Sequence, residues 1–266
     1  MSYTSFRKTI WDFYKKHGRH ELPWRKTINP YRILVSEVML QQTQVDRVVP
    51  FYQAFIRQFP TVQKLAAAPL ADVLRAWQGL GYNRRAKMLH GAAKAIVQQG
   101  MPKTTEGLET LPGVGPYTAR AVAAFAWNEP GIVIETNIRT LIIHHFFPKH
   151  EKVGDDEIAT VLAKALPQHR AREWYWALMD YGAYLKRSGV SHNARAKVYT
   201  KQSRFSGSAR EARGALLREL AKGSAGERRL TGLLGDDRRG QLAAQLEKLD
   251  AEGLVQKKGS RFSLPR

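Results

Sequence analysis

The chain has 266 residues, with 43 Lys+Arg against 23 Asp+Glu and a formal net charge of +20. This excess predicts a polyanionic partner, and no apolar run approaches the roughly 20 residues of a membrane span, so nucleic acid is favoured over a membrane. The sequence contains no cysteine, which excludes disulfides and thiolate-bound metal ions or clusters.

The first 200 residues show helical apolar spacing in segment after segment and no alternating strand pattern, which predicts an all-α fold. The N-terminal segment lacks the apolar core of a secretion signal, so we expect a cytoplasmic, nucleoid-associated protein. The predicted helices are Tyr3–His17, Pro30–Phe59, Leu70–Trp77, Arg84–Gln99, Glu106–Leu111, Tyr117–Trp127, Asn137–Phe147, Asp155–Leu166 and Arg172–Lys186.

The long predicted helix Pro30–Phe59 carries a carboxylate beside its apolar face. Glu37 lies in the row Ile33–Glu37–Gln41. Burial raises the pKa of a carboxyl group, and a glutamate that is protonated near neutral pH can act as a general acid. The alternative is a structural glutamate bonded to backbone or to an arginine. The following letters "QQTQ" favour function, because glutamines are poor core residues but can hydrogen-bond to bases.

A turn with two glycines, "LPGVGPY", joins two predicted helices. Glycines permit positive φ and leave backbone amides uncovered at the start of the second helix, where the partial positive charge favours an anion such as a DNA phosphate. The alternative is an ordinary helix–helix turn.

The amino-acid composition changes in the last third of the chain. The segment Tyr181–Arg210 is basic without any acid, which is typical of a linker or a phosphate-facing arm. Three short helices and two strands then predict a winged-helix-like α+β domain over residues 201–266. In that domain Arg238–Glu252 has the position of the recognition helix, and Lys257 and Lys258 lie on the wing.

Four motifs resemble one family. "SEVMLQQTQV", "LPGVGPYTARAV", "IVIETNIRTL" and "MDYGA", within about residues 6–185, are similar to the helix–hairpin–helix (HhH-GPD) glycosylases of base excision repair, and most similar to the MutY-type A/G-specific adenine DNA glycosylases. The resemblance implies two helical lobes, about 30–127 and 1–22 plus 135–200, with an active site in the cleft between them. It also implies double-stranded DNA with a mismatch or lesion as the partner of a monomer, and a target base flipped out of the duplex.

By this resemblance, Glu37 would protonate the adenine and activate water, and Tyr117 would line the pocket near the sugar. Lyase-type relatives carry a nucleophilic lysine where this chain has Tyr117, so we expect a monofunctional glycosylase. The family's catalytic aspartate is replaced by Glu135, which would either stabilise an oxocarbenium-like sugar or complement the helix dipole with Thr136 as the cap.

The resemblance also implies contacts with DNA. The hairpin would bind a phosphate, with a monovalent cation on its carbonyls, through Leu111, Gly113, Val114 and Gly115. The stack around the flipped base would be filled by Gln41, Gln42 and Tyr82, and the duplex would lie close to Trp24 and Arg25. The phosphate contact that the loop of an iron–sulfur cluster makes in relatives would here be made by Lys186 and Arg187.

Two further departures from the family bear on function. The cysteines that hold an iron–sulfur cluster in many relatives are replaced, so we expect no cluster and no required cofactor. The β-rich domain that senses 8-oxoguanine is replaced by the winged-helix-like segment, for which we predict a phosphate-binding scaffold, the alternative being a sensor of the opposite base. The alternative target bases are thymine or uracil opposite guanine, or a modified purine. The alternative to an enzyme is a non-catalytic protein that binds DNA structures.

Overall fold

Helices make up most of the computed structural model, which describes residues 1–198, 207–234 and 239–265. The described helices are α1 (Tyr3–His17), α2 (Pro30–Leu40), α3 (Val45–Gln58), α4 (Val62–Ala67), α5 (Leu70–Ala76), α6 (Arg84–Gln99), α7 (Thr105–Glu109), α8 (Pro116–Trp127), α9 (Thr136–Phe146), α10 (Asp155–Ala165), α11 (Ala171–Arg187), α12 (Ala209–Lys222), α13 (Glu227–Leu234) and α14 (Arg239–Ala251), with 3-10 turns at Pro23–Lys26 and Asn193–Arg195. The all-α prediction for the first 200 residues is confirmed over the described residues 1–198.

The chain divides into two units. The first contains Met1–Glu37, Lys103–Glu109 and Val114–Lys201, and the second contains Val38–Pro102, Thr110–Gly113 and Gln202–Arg266. Helix α8 therefore belongs to the first unit, whereas the sequence analysis assigns it to the lobe 30–127. The predicted domain boundaries stay a prediction.

The core of the first unit is formed where α1, α9 and α11 pack together. Phe6 of α1 and Trp174 of α11 are fully buried and meet edge to face, with ring centroids 6.0 Å apart. Helix α11 approaches the start of α9 so closely that a Cβ on Gly182 would lie 2.2 Å from the carbonyl oxygen of Asn137. Gly182, the glycine of "MDYGA", is therefore needed for this packing. The close contact holds the first turn of α9, directly after Glu135, in place.

The predicted helix Pro30–Phe59 is wrong as a single element, because it breaks at "QQTQ" into α2 and α3. Gln42 adopts a φ of 55°, outside the helical range. The guanidinium of Arg85 on α6 donates to the carbonyls of Val38 and Met39, each at 2.9 Å, and to the carbonyl of Gln41 at 2.5 Å. Arg85 thereby satisfies carbonyls that the end of α2 leaves without helical partners.

The C-terminal part of the second unit confirms the winged-helix-like prediction. Strands β1 (Ala225–Gly226), β2 (Gln256–Lys258) and β3 (Arg261–Ser263) form an antiparallel sheet in the order β1-β3-β2 beside α12, α13 and α14. Strand β1 is not predicted from the sequence, since two residues are too short for an alternating pattern, and neither is helix α4. Within the described residues, no helix combines the length and the apolar character that crossing a membrane requires.

Candidate active site

Helix α2 is buried along most of its length, and Glu37 lies among its apolar residues. The neighbouring residues Val35, Ser36, Val38 and Met39 are all buried, and Glu37 itself is 4% exposed. A carboxyl group in such surroundings has lost the water that stabilises its ionised form. Burial accordingly raises the pKa of Glu37 to about 7, and the negative charge of Glu135 acts in the same direction.

Two groups oppose that shift. The hydroxyl of Tyr117, in the first turn of α8, donates to Oε2 of Glu37 at 3.3 Å, and this hydrogen bond lowers the pKa of Glu37, as does the charge of Arg25. Burial raises the pKa of Tyr117 well above 10, so its phenol stays neutral at physiological pH. The first unit therefore places a carboxyl group that titrates near neutrality beside a permanent hydroxyl donor.

Glu135 is the N-cap of α9. Its Oε1 accepts from the backbone N–H of Ile138 and its Oε2 from that of Asn137, both at 2.9 Å, while the hydroxyl of Thr136 donates to Oε2 at 3.2 Å. The suggestion that Thr136 caps this helix is wrong, because the longer side chain of Glu135 folds back onto the first turn itself. The cap fixes the orientation of a half-buried carboxylate whose charge also acts on Glu37.

The side chains of Arg25 and Trp24 are buried, and their predicted contact with DNA stays a prediction. The Arg25 side chain is 4% exposed and forms a bidentate ion pair with Asp180, with N–O distances of 2.7 and 2.9 Å, while Trp24 is 6% exposed. Arg19 also donates to Asp180, at 2.7 Å. Burial alone would raise the pKa of Asp180, but the hydrogen bonds and charges of the two arginines outweigh burial and lower it.

Asp180 is the residue of this region to which the sequence analysis gave no role. It lies in the motif "MDYGA". An aspartate in a helix as apolar as α11 indicates that its carboxylate pairs with a buried cation. Through Arg25, whose charge acts on Glu37, the Asp180 ion pair contributes to the electrostatics of the candidate site.

Lys186 and Arg187 end α11 in different surroundings. Lys186 is half-buried, and burial lowers its pKa, while the negative charge of Glu135 raises it. Arg187 is exposed. The segment that follows α11 is docked rather than extended, since Lys152 donates to the carbonyl of Ala194 at 2.7 Å and Arg195 donates to the carbonyl of Phe147. Residues 199–206 lie outside the described part of the chain.

The hairpin between α7 and α8 has the predicted helix–turn–helix form. Gly113 adopts a φ of +76°, and a Cβ there would lie 2.5 Å from the Cβ of Met88. Gly115 does not use the positive φ that glycine permits: its φ is −96°, and a Cβ would meet no atom within 4 Å. Leu111 and Val114 are buried side chains that anchor the turn, so only its backbone is available for an anion.

Replacing Gly115 with valine is expected to weaken binding to all DNA duplexes by about tenfold or more. The new side chain would cover the amides at the start of α8 without a clash, and hydrogen bonds to charged groups contribute about 1.5–3 kcal/mol. Fluorescence anisotropy with matched and mismatched duplexes measures the effect. Gly131→Val is the matched control, since a Cβ there also meets no atom within 4 Å. Unchanged affinity, or a loss confined to one sequence, would contradict phosphate binding by the hairpin.

The residues predicted to wedge the duplex lie together in the second unit. Gln41, Gln42 and Tyr82 line one groove, and the hydroxyl of Tyr82 accepts from Arg210 at 3.1 Å. The wing residues Lys257 and Lys258 are exposed, and the ammonium of Lys257 lies 5.5 Å from the centre of the Phe262 ring. Of the predicted recognition helix, Arg238 lies outside the described residues.

Within the described ranges, no cluster of three or more His, Cys, Asp or Glu side chains could hold a metal ion. The chain has no cysteine to ligate an iron–sulfur cluster. A monovalent cation on the hairpin carbonyls stays a prediction.

Residues 35–168 match the family described as HhH-GPD superfamily base excision DNA repair protein. The chain is 38% identical over 221 residues to an adenine DNA glycosylase of Mycolicibacterium smegmatis, covering 76% of this chain and 75% of the relative. It is 42% identical over 175 residues to an adenine DNA glycosylase of Mycobacterium tuberculosis, covering 63% of this chain and 58% of the relative. A thermostable thymine-DNA glycosylase structure is 25% identical, with a TM-score of 0.62 over 68% of this chain and 86% of that one.

Proposed function

Because this chain belongs to the HhH-GPD superfamily of base excision DNA repair proteins, we propose that it is a DNA glycosylase that removes adenine from mismatched pairs. The observation that carries the proposal is the buried Glu37, with a pKa of about 7, hydrogen-bonded to Tyr117 and subject to the charge of Glu135. A non-catalytic DNA-binding protein would have no use for a carboxyl group held in an apolar helix at the cost of its desolvation.

The chemistry follows from the protonation states. Protonated Glu37 donates its proton to a ring nitrogen of adenine, and the bond between that base and the sugar then breaks with both electrons leaving on the neutral base. The sugar becomes oxocarbenium-like, and the carboxylate of Glu135 stabilises its positive charge. Ionised Glu37 then accepts a proton from the attacking water. The products are free adenine and an abasic site, and Glu37 is protonated again.

Tyr117 supports this cycle without entering it covalently. Its hydroxyl donates to Glu37 and stabilises the carboxylate that forms when the proton leaves. A phenol cannot form a Schiff base with the sugar, so we propose hydrolysis without strand cleavage. We also propose that the protein works as a monomer on nucleoid DNA in the cytoplasm.

The substrate is tested with a panel of duplexes. We expect alkali-labile sites in duplexes that carry adenine opposite guanine or 8-oxoguanine, and none in those with thymine or uracil opposite guanine. The similarity to a thymine-DNA glycosylase structure makes the second pair of substrates the specific alternative. Cleavage at thymine or uracil but not at adenine would overturn the proposed base, and cleavage before alkali treatment would overturn the absence of lyase activity.

The single-turnover rate of adenine release is expected to decline above about pH 7, by about tenfold per pH unit, because the protonated fraction of Glu37 declines there. Below that pH the rate should level off as Glu37 becomes fully protonated. Rapid-quench assays with enzyme in excess, from about pH 6 to about pH 9, measure the profile. A rate that rises through this range would show that ionised Glu37 starts the reaction, and a flat profile would contradict any titration of Glu37.

A further inference from the structure

The segment that follows α11 is docked on the first unit mainly by polar contacts. Of the described residues 188–198, only Ala196 is buried. The backbone of the segment pairs with that of Val153, whose amide donates to the carbonyl of Arg195 at 2.9 Å and whose carbonyl accepts from the amide of Lys197 at 3.0 Å. Because little apolar surface is buried here, hydrogen bonds decide whether the segment stays in place.

Two side-chain contacts connect the segment to α9. The hydroxyl of Thr140 donates to Oδ1 of Asn193 at 3.2 Å. The rings of His144 and His192 are stacked with centroids 5.6 Å apart, and Nδ1 of His144 lies 3.4 Å from Nε2 of His192. The other ring nitrogen of His192, Nδ1, lies 3.3 Å from the guanidinium of Arg195. These three side chains form a row in the order Arg195–His192–His144.

The positions of the protons along this row follow from Arg195. A guanidinium only donates, so Nδ1 of His192 is the acceptor and carries no proton. Neutral His192 then carries its proton on Nε2 and donates it to Nδ1 of His144, which must also be unprotonated. A further proton on either histidine would turn an acceptor into a donor and add a positive charge beside another donor. The row is therefore intact only while both imidazoles are neutral.

The surroundings of the row also oppose protonation. Burial lowers the pKa of His192, and the charges of Arg195 and of protonated His144 act in the same direction. Next to the row on α9, burial lowers the pKa of His145 to about 4, and the charges of His144 and of the N-terminal amino group add to this effect. The other titratable or charged groups on the elements packed around α9 and the segment include Tyr181, Lys152, the pair Arg139–Asp155 and the pair Glu157–Lys197.

We propose that the row Arg195–His192–His144 is a proton-sensitive latch, which holds the segment against α9 near neutral pH and releases it in mild acid. The sign follows from linkage, because docking lowers the pKa of His192 below its ordinary value of 6.5. The docked state is thus fully stable above that pH, and it loses stability as pH falls below it, where the released segment binds protons that the docked one excludes. Since the segment joins α11 to α12, its release would lengthen the tether of the winged-helix-like domain. This inference does not depend on which base the protein removes.

The test follows the docked backbone by hydrogen exchange in the full chain. Protection factors for the amides of Val153 and Lys197, corrected for the intrinsic exchange rate, should decline by about tenfold from about pH 7.5 to about pH 5.5. The amide of Trp174, which donates to the carbonyl of Arg170 within the core of the first unit, should change little and serves as the internal reference.

A double variant removes the protons and keeps the hydrogen-bonding groups. His192→Gln with His144→Asn places amides, which accept and donate but do not titrate, where the two rings lie. In this variant the protection of the Lys197 amide should be independent of pH. His169→Gln is the matched control, since it removes an exposed histidine of the same unit and should keep the wild-type pH dependence.

NMR of the histidine ring nitrogens in the wild-type protein locates the protons without any substitution, so the proposal stays testable even if the double variant does not dock. At neutral pH we expect the proton of His192 on Nε2 and Nδ1 of His144 unprotonated. Four results would each overturn the latch: a proton on Nδ1 of His192, wild-type protection that does not change with pH, an equal decline at Trp174 and Lys197, or a wild-type decline in the double variant.

Discussion

Replacing Glu37 with glutamine is expected to abolish base release and to leave affinity for the duplex nearly unchanged. Glutamine keeps the shape of the side chain and can still accept a hydrogen bond from Tyr117, but it has no acidic proton to give to the leaving base. General acid catalysis contributes about 100-fold to about 10,000-fold, and here the same group also activates water. Single-turnover assays with adenine opposite 8-oxoguanine measure the loss, and a rate within about tenfold of wild type would contradict the role.

The same variant has a second signature in stability. Because burial raises the pKa of Glu37 to about 7, the native state retains a proton between the ordinary pKa of 4.5 and about 7 that the unfolded state releases. The contribution of Glu37 to stability is therefore present at acid pH and is lost as pH rises through this window. Glu37→Gln should remove this slope from urea-unfolding measurements. An unchanged slope would show that Glu37 is not the group that titrates.

Glu37 could be predicted because both of its signals are local. The row of apolar residues around it and the motif "SEVMLQQTQV" are visible in the letters, and burial follows from them. The break after α2 could not be predicted, because it depends on Arg85, more than 40 residues further along the chain, reaching the carbonyls at the end of that helix. The helical spacing of apolar residues continues across the break, so the sequence does not indicate that a distant side chain ends the helix.

The winged-helix-like domain also combines features that neighbouring residues predict with features that depend on distant contacts. The turn at Gly259 and the residues on both sides of it predict the β2–β3 hairpin, because the pairing is local. The position of α12 depends on its docking against α5, and neither segment indicates this docking in the sequence. The basic residues Arg210 and Arg218 therefore read as part of a general charge excess, and a scaffold was the simpler prediction.

Glu135 illustrates a limit of residue-by-residue comparison. The sequence offers catalysis and complementing the helix dipole as alternatives for this position, but the cap bonds and the electrostatic effect on Glu37 belong to the same carboxylate. Capping keeps the carboxylate oriented, which is what stabilisation of a cationic sugar needs. The two roles are compatible, and the methylene added relative to aspartate is accommodated in the fold-back of the cap.

Replacing Asp180 with alanine is expected to lower the free energy of unfolding by about 3–5 kcal/mol, because it leaves the Arg25 guanidinium buried without its partner. The Asp180 and Arg25 side chains are 2% and 4% exposed, so water cannot take over the lost bonds. Urea unfolding monitored by circular dichroism measures the change. Asp12→Ala is the control, since its ion pair with Lys8 is short but exposed and should contribute little.

A double variant separates a buried unpaired charge from a lost packing contact. Arg25→Met with Asp180→Leu removes both charges and fills the space with apolar atoms, so it should be clearly more stable than Asp180→Ala alone. If the double variant were as unstable as the single one, the loss would come from packing or from the bonds that Asp180 accepts from Arg19. If Asp180→Ala cost no more than Asp12→Ala, the buried pair would not hold this part of the first unit together. The double variant should also keep some duplex affinity, because neither buried side chain has a surface on which to meet DNA.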